Sequence, residues 1–429
     1  MSFFKIKLHA KNYLLIRQEY IGFVAVLVEK IIATFGFMVK DVTKLRVFDF
    51  YLRFNSRASR TSEVFKKAVV LSKSCSALVT AGIKKPDVLN RSIIIKEYVN
   101  ENEKGVLLVT FESELVKLAA SPQLSEIEKN FQIVFGPTWQ PFFCVEFYYF
   151  LANISQQFWI NPSSERDREL CEYVGPLCMP LPFQSSSWVD GDSYGDTPRN
   201  KDIDIIMLAN FSKYKRHWLL FEALRELPSE LNVVVAGRPL GNRNSDTLRA
   251  EAACFGVAER FKIIENPSNE MVIDLLARSK LFCALSHKEG SYIAIAEALF
   301  AGTPVGIYED AIVGSKDYIN SATGILFTRK LPLSTQISNF LAHQQKFDTT
   351  RWAKTNISAR VNSQKMNQLL KEYSLANGKC WTKDIAPFYC KNFDFVYYEY
   401  NAVPEAAYRN FNNTCGIEIP YPAKPASLL

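Results

Sequence analysis

Paired cysteines are missing from this sequence. Its nine cysteines are scattered, odd in number and contain no C-x-x-C pair. The sequence therefore indicates neither a disulfide framework nor a cysteine-based zinc site. We expect a reducing, cytoplasmic environment for the protein.

Long hydrophobic runs are also missing from the basic N-terminal region. Its most apolar run, residues 20–28, has nine uncharged residues bounded by Glu19 and Glu29, whereas a helix that spans a bilayer needs about 20. Residues 1–11 contain no apolar core followed by a small-residue cleavage site. We therefore expect neither a transmembrane helix nor a signal peptide there.

Acidic residues are scarce in the same region. Residues 1–85 contain 16 Lys/Arg and 5 Asp/Glu, whereas the whole chain has a net charge of only +7. Apolar residues recur at helical spacing, which predicts a helical segment over residues 1–91. Two interpretations stay open: a layer lying on an anionic membrane surface, or helices that cover a sheet and expose a basic side to water. Nucleic acid is not an expected partner, because no nucleic-acid-binding motif accompanies the charge.

Apolar residues are plentiful, at 48% of the 429 residues, which is enough for two or three globular domains. Short apolar runs at 93–95, 106–109, 132–135 and 157–160 alternate with helix-like segments, so residues 92–183 form a predicted α/β domain with a parallel sheet. Trp139 follows the third run. It is either a stacking platform for a ligand or a buried residue in a rigid turn.

Strands and helices alternate regularly after a Ser-, Gly-, Asp- and Pro-containing linker at 184–200. The pattern predicts a doubly wound parallel sheet over 201–375, which binds its ligand at the carboxyl ends of the strands. The predicted strands are 203–208, 232–236, 261–264, 281–285, 304–308 and 324–327. The predicted helices are 215–227, 246–255, 269–278, 291–301, 313–320, 332–345 and 351–375.

Two glutamates dominate residues 285–305, where a strand, a polar loop, an apolar helix and another strand are predicted. Glu297 is the only charged residue between Gly290 and Tyr308, so its carboxylate needs hydrogen-bond donors. Glu289 lies at the mouth of the same helix, and the rise from Ser291 to Glu297 is about 9 Å. Two carboxylates at that spacing, with an anion at the helix N-terminus between them, match the layout of a sugar nucleotide.

The same stretch carries a family resemblance. A Ser-x-x-Glu-Gly sequence at 286–290, a second glutamate eight residues after the first, and Ala-Gly-Thr-Pro-Val at 301–305 resemble the Glu-x7-Glu signature of retaining glycosyltransferases of the GT-B fold, family-4 type. The resemblance implies an α/β fold with two Rossmann-like domains. It also implies transfer of a sugar from a nucleotide-activated donor to a glycan or lipid-linked acceptor with retention, without a metal or cofactor.

The setting that such enzymes imply is surface polysaccharide or glycoconjugate synthesis in the cytoplasm, or peripherally on the inner face of the membrane. By the same resemblance, Glu289 contacts the transferred sugar and Lys215 contacts the diphosphate, so both are predicted catalytic residues. Glu297 is expected to bind the ribose. The other predicted donor-binding residues are Asn210, Lys213, Arg216, Gly237, Arg238, Gly290, Ser291, Tyr292 and Ile293.

The sequence departs from this family in two places. Asn210 stands where the family has an arginine, so either Lys213 or Arg216 supplies the second cation or donor affinity is weaker. By the resemblance, residues 92–183 are the acceptor-side domain, with Trp139 as the candidate residue for an acceptor sugar. This domain lacks the usual Gly-rich loop, and the only histidine of the chain before the linker is His9, outside the predicted sheet. A non-catalytic sugar-nucleotide-binding or scaffold protein therefore remains an alternative, as does a GT-B phosphorylase or epimerase.

The chain after residue 376 is a predicted C-terminal tail that packs back on the domains. Eight aromatic residues lie within 378–400, and so many large apolar side chains predict a docked segment. Residues 404–429 are expected to be held loosely.

Overall fold

The computed structural model describes residues 69–70, 73, 79–80, 83–138, 145–195, 199–343, 347–391 and 394–423. The chain divides into two compact units: Met1–Ser185 with Asn362–Leu429, and Ser186–Val361. Most of the predicted N-terminal helical segment and Trp139 lie outside the described residues, so those predictions stay predictions.

The first unit contains a five-stranded sheet in the order β1-β2-β3-β4-β5. Strands β2 to β5 are parallel, but β1 pairs with β2 in the antiparallel sense. The connection at 97–104 is too short for the crossover that a parallel pair needs, which corrects the prediction of a purely parallel sheet. The strands are β1 (Ser92–Lys96), β2 (Gly105–Thr110), β3 (Phe131–Gly136), β4 (Phe158–Ile160) and β5 (Cys178–Pro180).

Four described helices accompany these strands. The last of them begins after Ser164, whose side chain accepts a hydrogen bond from the Asp167 amide at 3.3 Å and caps the helix. The helices are α1 (Glu112–Ala120), α2 (Leu124–Asn130), α3 (Val145–Asn153) and α4 (Glu165–Val174).

The second unit is a six-stranded, fully parallel sheet in the order β11-β10-β9-β6-β7-β8. Every predicted strand of this region is present within two residues. The strands are β6 (Ile203–Leu208), β7 (Val233–Gly237), β8 (Lys262–Glu265), β9 (Ser279–Ala284), β10 (Val305–Tyr308) and β11 (Gly324–Phe327).

The helices of the second unit depart from prediction in two places. The segment predicted as a helix at 313–320 is a 3₁₀ helix, Gly314–Tyr318. The predicted helix 351–375 is two helices, because the Ser358 side chain accepts from the Val361 amide at 3.3 Å and starts a new one. The helices are α5 (His217–Leu224), α6 (Ser245–Ala253), α7 (Asn269–Ala277), α8 (Ile293–Phe300), α9 (Leu333–Ala342) and α10 (Thr349–Asn356), followed by α11 (Ala359–Ala376), most of which belongs to the first unit.

The tail docks on the first unit through strands β12 (Phe388–Lys391) and β13 (Asp394–Tyr397) and helix α12 (Glu405–Cys415). The Tyr408 hydroxyl, in α12, accepts a hydrogen bond from the Ile94 amide at 3.1 Å. Tyr408 and Phe411 are buried. The expectation of a loosely held chain is therefore wrong for residues 404–423.

The linker region carries two buried aromatic side chains, Trp188 and Tyr194, beside 3₁₀ turns at Ser185–Trp188 and Gly191–Ser193. Tyr194 stacks on Phe300 of α8, with 5.8 Å between ring centroids.

Among the described residues, no helix is long and apolar enough to cross a membrane.

Candidate active site

Two neighbouring strands of the second unit position the site. Strands β6 and β9 pair in parallel, with Ile206 opposite Phe282, so their carboxyl ends lie side by side. After β6 the chain makes a 3₁₀ turn, Lys213–Lys215, and enters α5. After β9 a polar loop leads into α8. Residues far apart in sequence therefore meet at one edge of the sheet.

The two predicted catalytic residues form an ion pair at this edge. Lys215 Nζ lies 2.7 Å from Glu289 Oε1 and 2.6 Å from Glu289 Oε2, and both side chains are buried. Burial lowers the pKa of Lys215, and the neighbouring Glu289 carboxylate partly offsets that effect. A buried charge is unfavourable without an opposite charge beside it, and each of these two residues supplies that charge to the other.

Aromatic rings surround the same ammonium group. Lys215 Nζ lies 3.7 Å from the centroid of the Tyr292 ring and 5.4 Å from that of Tyr214. The Tyr292 hydroxyl donates a hydrogen bond to the carbonyl of Leu208, the last residue of β6, at 3.0 Å. The end of β6 and the start of α8 are thus joined through one side chain.

Glu297 lies in the second turn of α8 and is partly buried. Burial raises the pKa of its carboxyl to about 7. Because this pKa lies near neutral pH, a ligand that donates hydrogen bonds to the carboxylate would favour its ionised form.

The loop before α8 is held by the segment that follows β10. The Glu289 amide donates to Ile312 at 2.9 Å, and the Gly290 carbonyl accepts from Gly314 at 2.9 Å. Ser291 is buried, and its hydroxyl has no hydrogen-bond partner among the residues that the structure describes. Ile293 is exposed. The predicted donor-binding residues 290–293 therefore lie together at the start of α8.

Asn210 and Lys213 belong to the loop after β6. The Asn210 amide nitrogen donates to the Tyr214 hydroxyl at 3.1 Å, and its oxygen accepts from the Ser212 amide at 3.1 Å. Asn210 therefore shapes the turn and carries no charge for a phosphate. Lys213 is exposed on the 3₁₀ turn, and Arg238 is exposed just after β7.

Arg216 faces a different set of side chains from those that contact Lys215. Its backbone is left-handed, with φ 61° and ψ 42°, and its side chain is buried near the rings of Trp218 and Tyr308, with centroid distances of 6.0 and 5.9 Å. None of its guanidinium nitrogens has a hydrogen-bond partner within the described part of the chain. Burial, with the nearby Arg329 charge, lowers its pKa to about 10.

Gly237 has a packing role at the end of β7. A Cβ atom there would lie 1.8 Å from the carbonyl oxygen of Ala209, so only glycine lets the loop after β6 approach so closely. Any other residue would displace the backbone that leads to Lys215.

The sequence did not reveal two features of this site. One is the direct pairing of Lys215 with Glu289, which depends on the order of β6 and β9 in the sheet. The other is the ring of Tyr292 beneath Lys215. Its only sequence signal was an aromatic residue directly before an apolar helix.

Comparisons with known proteins concern the family and the fold of this region. Residues 195–347 match the family model "Glycosyl transferases group 1". A curated relative, the GDP-mannose:cellobiosyl-diphosphopolyprenol alpha-mannosyltransferase of Komagataeibacter xylinus, is 34% identical over 107 residues. That match covers 24% of this chain and 27% of the enzyme, so the chain spans about a quarter of the length of this relative.

Solved structures share the fold. HepE of Anabaena in complex with UDP has a TM-score of 0.50 at 16% identity, over 62% of this chain and 78% of HepE. Sucrose-phosphate synthase of Thermosynechococcus elongatus has a TM-score of 0.51 at 14% identity, over 63% of this chain and 74% of the synthase. The predicted α/β fold and the predicted resemblance to GT-B glycosyltransferases are confirmed.

Proposed function

We propose that this chain is a retaining glycosyltransferase that moves a sugar from a nucleotide-activated donor to a glycan or lipid-linked acceptor. The observation that carries the proposal is the meeting of Lys215, Glu289, Tyr292 and the start of α8 at the carboxyl ends of β6 and β9. This edge lies inside the segment that matches the group 1 glycosyl transferases.

In the proposed reaction, the bond between the anomeric carbon of the sugar and the diphosphate oxygen breaks. A bond from the acceptor oxygen forms on the same face of the sugar, and the acceptor proton passes to the leaving diphosphate. Lys215 and the amides at the start of α8 offset the negative charge that develops on the diphosphate. Glu289 stabilises the positive charge that develops on the sugar, and Glu297 accepts hydrogen bonds from the ribose. No metal or cofactor is part of this proposal.

The first donors to test are sugars linked to UDP or GDP. The curated relative is named for GDP-mannose, and HepE was solved with UDP. We therefore propose screening UDP- and GDP-sugars together.

A thermal-shift screen with nucleoside diphosphates and their sugars tests this proposal. A ligand at 100 times its dissociation constant adds about 2.7 kcal/mol to stability, and UDP and GDP are the first probes. Hits then enter a transfer assay with mixed glycan and lipid-linked acceptors. Release of nucleoside diphosphate that depends on acceptor is the expected result, and absence of binding by every nucleotide would contradict the proposal.

A sugar-nucleotide-binding protein without catalysis is the second candidate. The specific observation in its favour is Asn210, which stands where a cation is expected and is engaged in the loop's own hydrogen bonds. Nucleotide binding without turnover for any acceptor would favour this candidate.

A further inference from the structure

Tyr292 has a backbone conformation that an aromatic residue rarely adopts. It is the residue before α8, with φ 37° and ψ 74°, in the left-handed region that strains any residue with a Cβ atom. Such strain persists only where surrounding contacts enforce it. The Tyr292 carbonyl accepts from the Ile295 amide at 3.0 Å and from the Ser315 hydroxyl at 3.3 Å.

The side chain that this conformation places has two polar contacts of different kinds. Its hydroxyl donates to Leu208 at 3.0 Å, which attaches the ring to the end of β6. The ring face receives the Lys215 ammonium at 3.7 Å from its centroid. Tyr292 is buried, so this contact between a cation and an aromatic ring lies away from water, where it is strongest.

Lys215 is consequently held from two sides. Glu289 binds its Nζ with both oxygens, and Tyr292 faces it with a ring that its own hydroxyl attaches to Leu208, independently of that carboxylate. A diphosphate is the ligand that would replace Glu289 as the acidic partner of Lys215 under the proposed function. An aromatic ring is an uncharged support, so it does not compete with an incoming anion.

We propose that Tyr292 is a positioning residue that holds the Lys215 ammonium against its ring for the donor diphosphate. The inference rests on the proposed function for its ligand. The coupling between Tyr292 and Lys215 can be measured without one.

A purely structural role for Tyr292 is the alternative, and it predicts a different result. The Tyr292 ring also packs on Phe282, with 6.0 Å between centroids at an interplanar angle of 81°, and this contact alone would serve only to fill the core. Leucine would retain most of that apolar burial but has no ring to face a cation. Phenylalanine keeps the ring and loses only the hydroxyl.

The test compares Tyr292→Phe and Tyr292→Leu by calorimetry with UDP and GDP. We expect Tyr292→Phe to lose less than about threefold in affinity and Tyr292→Leu about tenfold or more. Tyr408→Leu, at a buried tyrosine of the first unit, is a matched control that should lower the melting temperature without changing affinity. Equal affinities of the Phe and Leu variants would overturn the inference.

A double-mutant cycle with Lys215→Met tests the contact itself. In that background Tyr292→Leu should cost no further affinity, because the cation is already absent. The same cycle is measured on urea unfolding without ligand, where we expect coupling of about tenfold in the unfolding equilibrium constant. Coupling in unfolding with no nucleotide binding would reject the proposed function and the diphosphate as the ligand, but it would keep the positioning of Lys215 by Tyr292. Independent, additive effects in the unfolding cycle would reject the inference.

Discussion

Lys215 Nζ lies within 2.7 Å of both carboxylate oxygens of Glu289. The two residues come from loops after different strands, so their contact is a product of the sheet. Without a ligand, the cation proposed for the diphosphate and the carboxylate proposed for the sugar neutralise each other. A donor that brings a diphosphate to Lys215 would release Glu289 toward the sugar.

This pairing bears on the separate roles of the two glutamates. We expect Glu289→Gln to bind nucleoside diphosphate almost normally, because Glu289 is assigned to the sugar and not to the diphosphate, yet to transfer sugar about 100-fold more slowly. Glu297→Gln should weaken nucleotide binding itself, and Lys215→Ala should impair both. Calorimetry paired with single-turnover transfer measures the difference. The assignment is wrong if Glu289→Gln loses as much diphosphate affinity as Glu297→Gln.

Glu297 should make nucleotide binding depend on pH. Its carboxyl has a pKa of about 7 in the free protein, and hydrogen bonds from ribose hydroxyls would favour the ionised form. Affinity should therefore rise between about pH 6 and 8, and binding near pH 7 should release protons. Calorimetry in two buffers of different ionisation enthalpy measures that release. Glu297→Gln should abolish it.

The same group also affects stability, with a definite sign. Its pKa is raised from 4.5 to about 7, so between those values the folded protein binds a proton that the unfolded chain has lost. The free energy of unfolding from this group then falls as pH rises from about 4.5 to 7. Glu297→Gln should flatten that part of the stability profile, as measured by urea unfolding. An identical profile for the variant would contradict the assignment.

Glu103 fastens the tail to the first unit. It accepts hydrogen bonds from the Thr382 amide at 2.7 Å and the Lys383 amide at 3.1 Å, and it pairs with buried Lys96 at 2.9 Å. Glu103→Ala would leave Lys96 buried without this charge partner and should cost about 3–5 kcal/mol. Glu97→Ala, which removes the more exposed ion pair with Lys383, is the control and should cost less than about 1 kcal/mol. Urea unfolding measures both.

The pKa of Glu103 predicts how its contribution to stability changes in acid. Burial raises it, but hydrogen bonds from Lys96, Thr382 and Lys383 outweigh burial and lower it from 4.5 to about 2. The stabilisation is therefore present above about pH 4.5 and is lost as pH falls toward 2. Equal acid unfolding of the wild type and Glu103→Ala would show that the tail is fastened elsewhere.

Arg216 combines a left-handed backbone with a buried guanidinium that lacks hydrogen-bond partners among the described residues. Arg216→Gly should raise the free energy of unfolding, because glycine relieves about 1 kcal/mol of backbone strain and removes a costly buried charge. Arg216→Met keeps the strained backbone and most of the aliphatic part of the side chain. Its effect on the free energy of unfolding therefore measures the contribution of the charge alone. A lower melting temperature for both variants would contradict this account.

The two candidates for a second diphosphate cation can be compared in the same experiment. The exposed Lys213 is free to reach a ligand, whereas Arg216 is turned toward Trp218 and Tyr308. We expect Lys213→Ala to weaken nucleoside diphosphate binding about fivefold and Arg216→Gly to weaken it less. The reverse order would assign the second cation to Arg216.

The basic N-terminal region supports a prediction about membranes. Its 16 Lys/Arg against 5 Asp/Glu over residues 1–85 should bring the protein down with anionic liposomes at low salt, and rising salt should release it. Co-sedimentation with neutral and anionic vesicles measures this. Equal recovery with both would favour the alternative of a helical layer with a solvated basic side.

The sequence alone determined the second unit almost completely. Alternation of apolar runs with helical segments depends on local periodicity, and it located all six strands within two residues. The local pattern likewise placed Glu289 in the loop before α8 and Glu297 inside that helix. Departures arose where a single side chain redirected the chain, as at Ser358, or where a short connection reversed β1.

Only the tertiary structure decided which charges meet. Lys215 and Glu289 are 74 residues apart, and their contact depends on β6 pairing with β9, a long-range choice that no local pattern encodes. The position of Lys215 over the Tyr292 ring and the direction of the Arg216 side chain depend on two left-handed residues, Tyr292 and Arg216. The docking of α12 through Tyr408 joins residues 314 positions apart. Sequence patterns specify the periodicity of each helix or strand and which of its faces is apolar. The packing in three dimensions determines which polar group lies beside each buried charge.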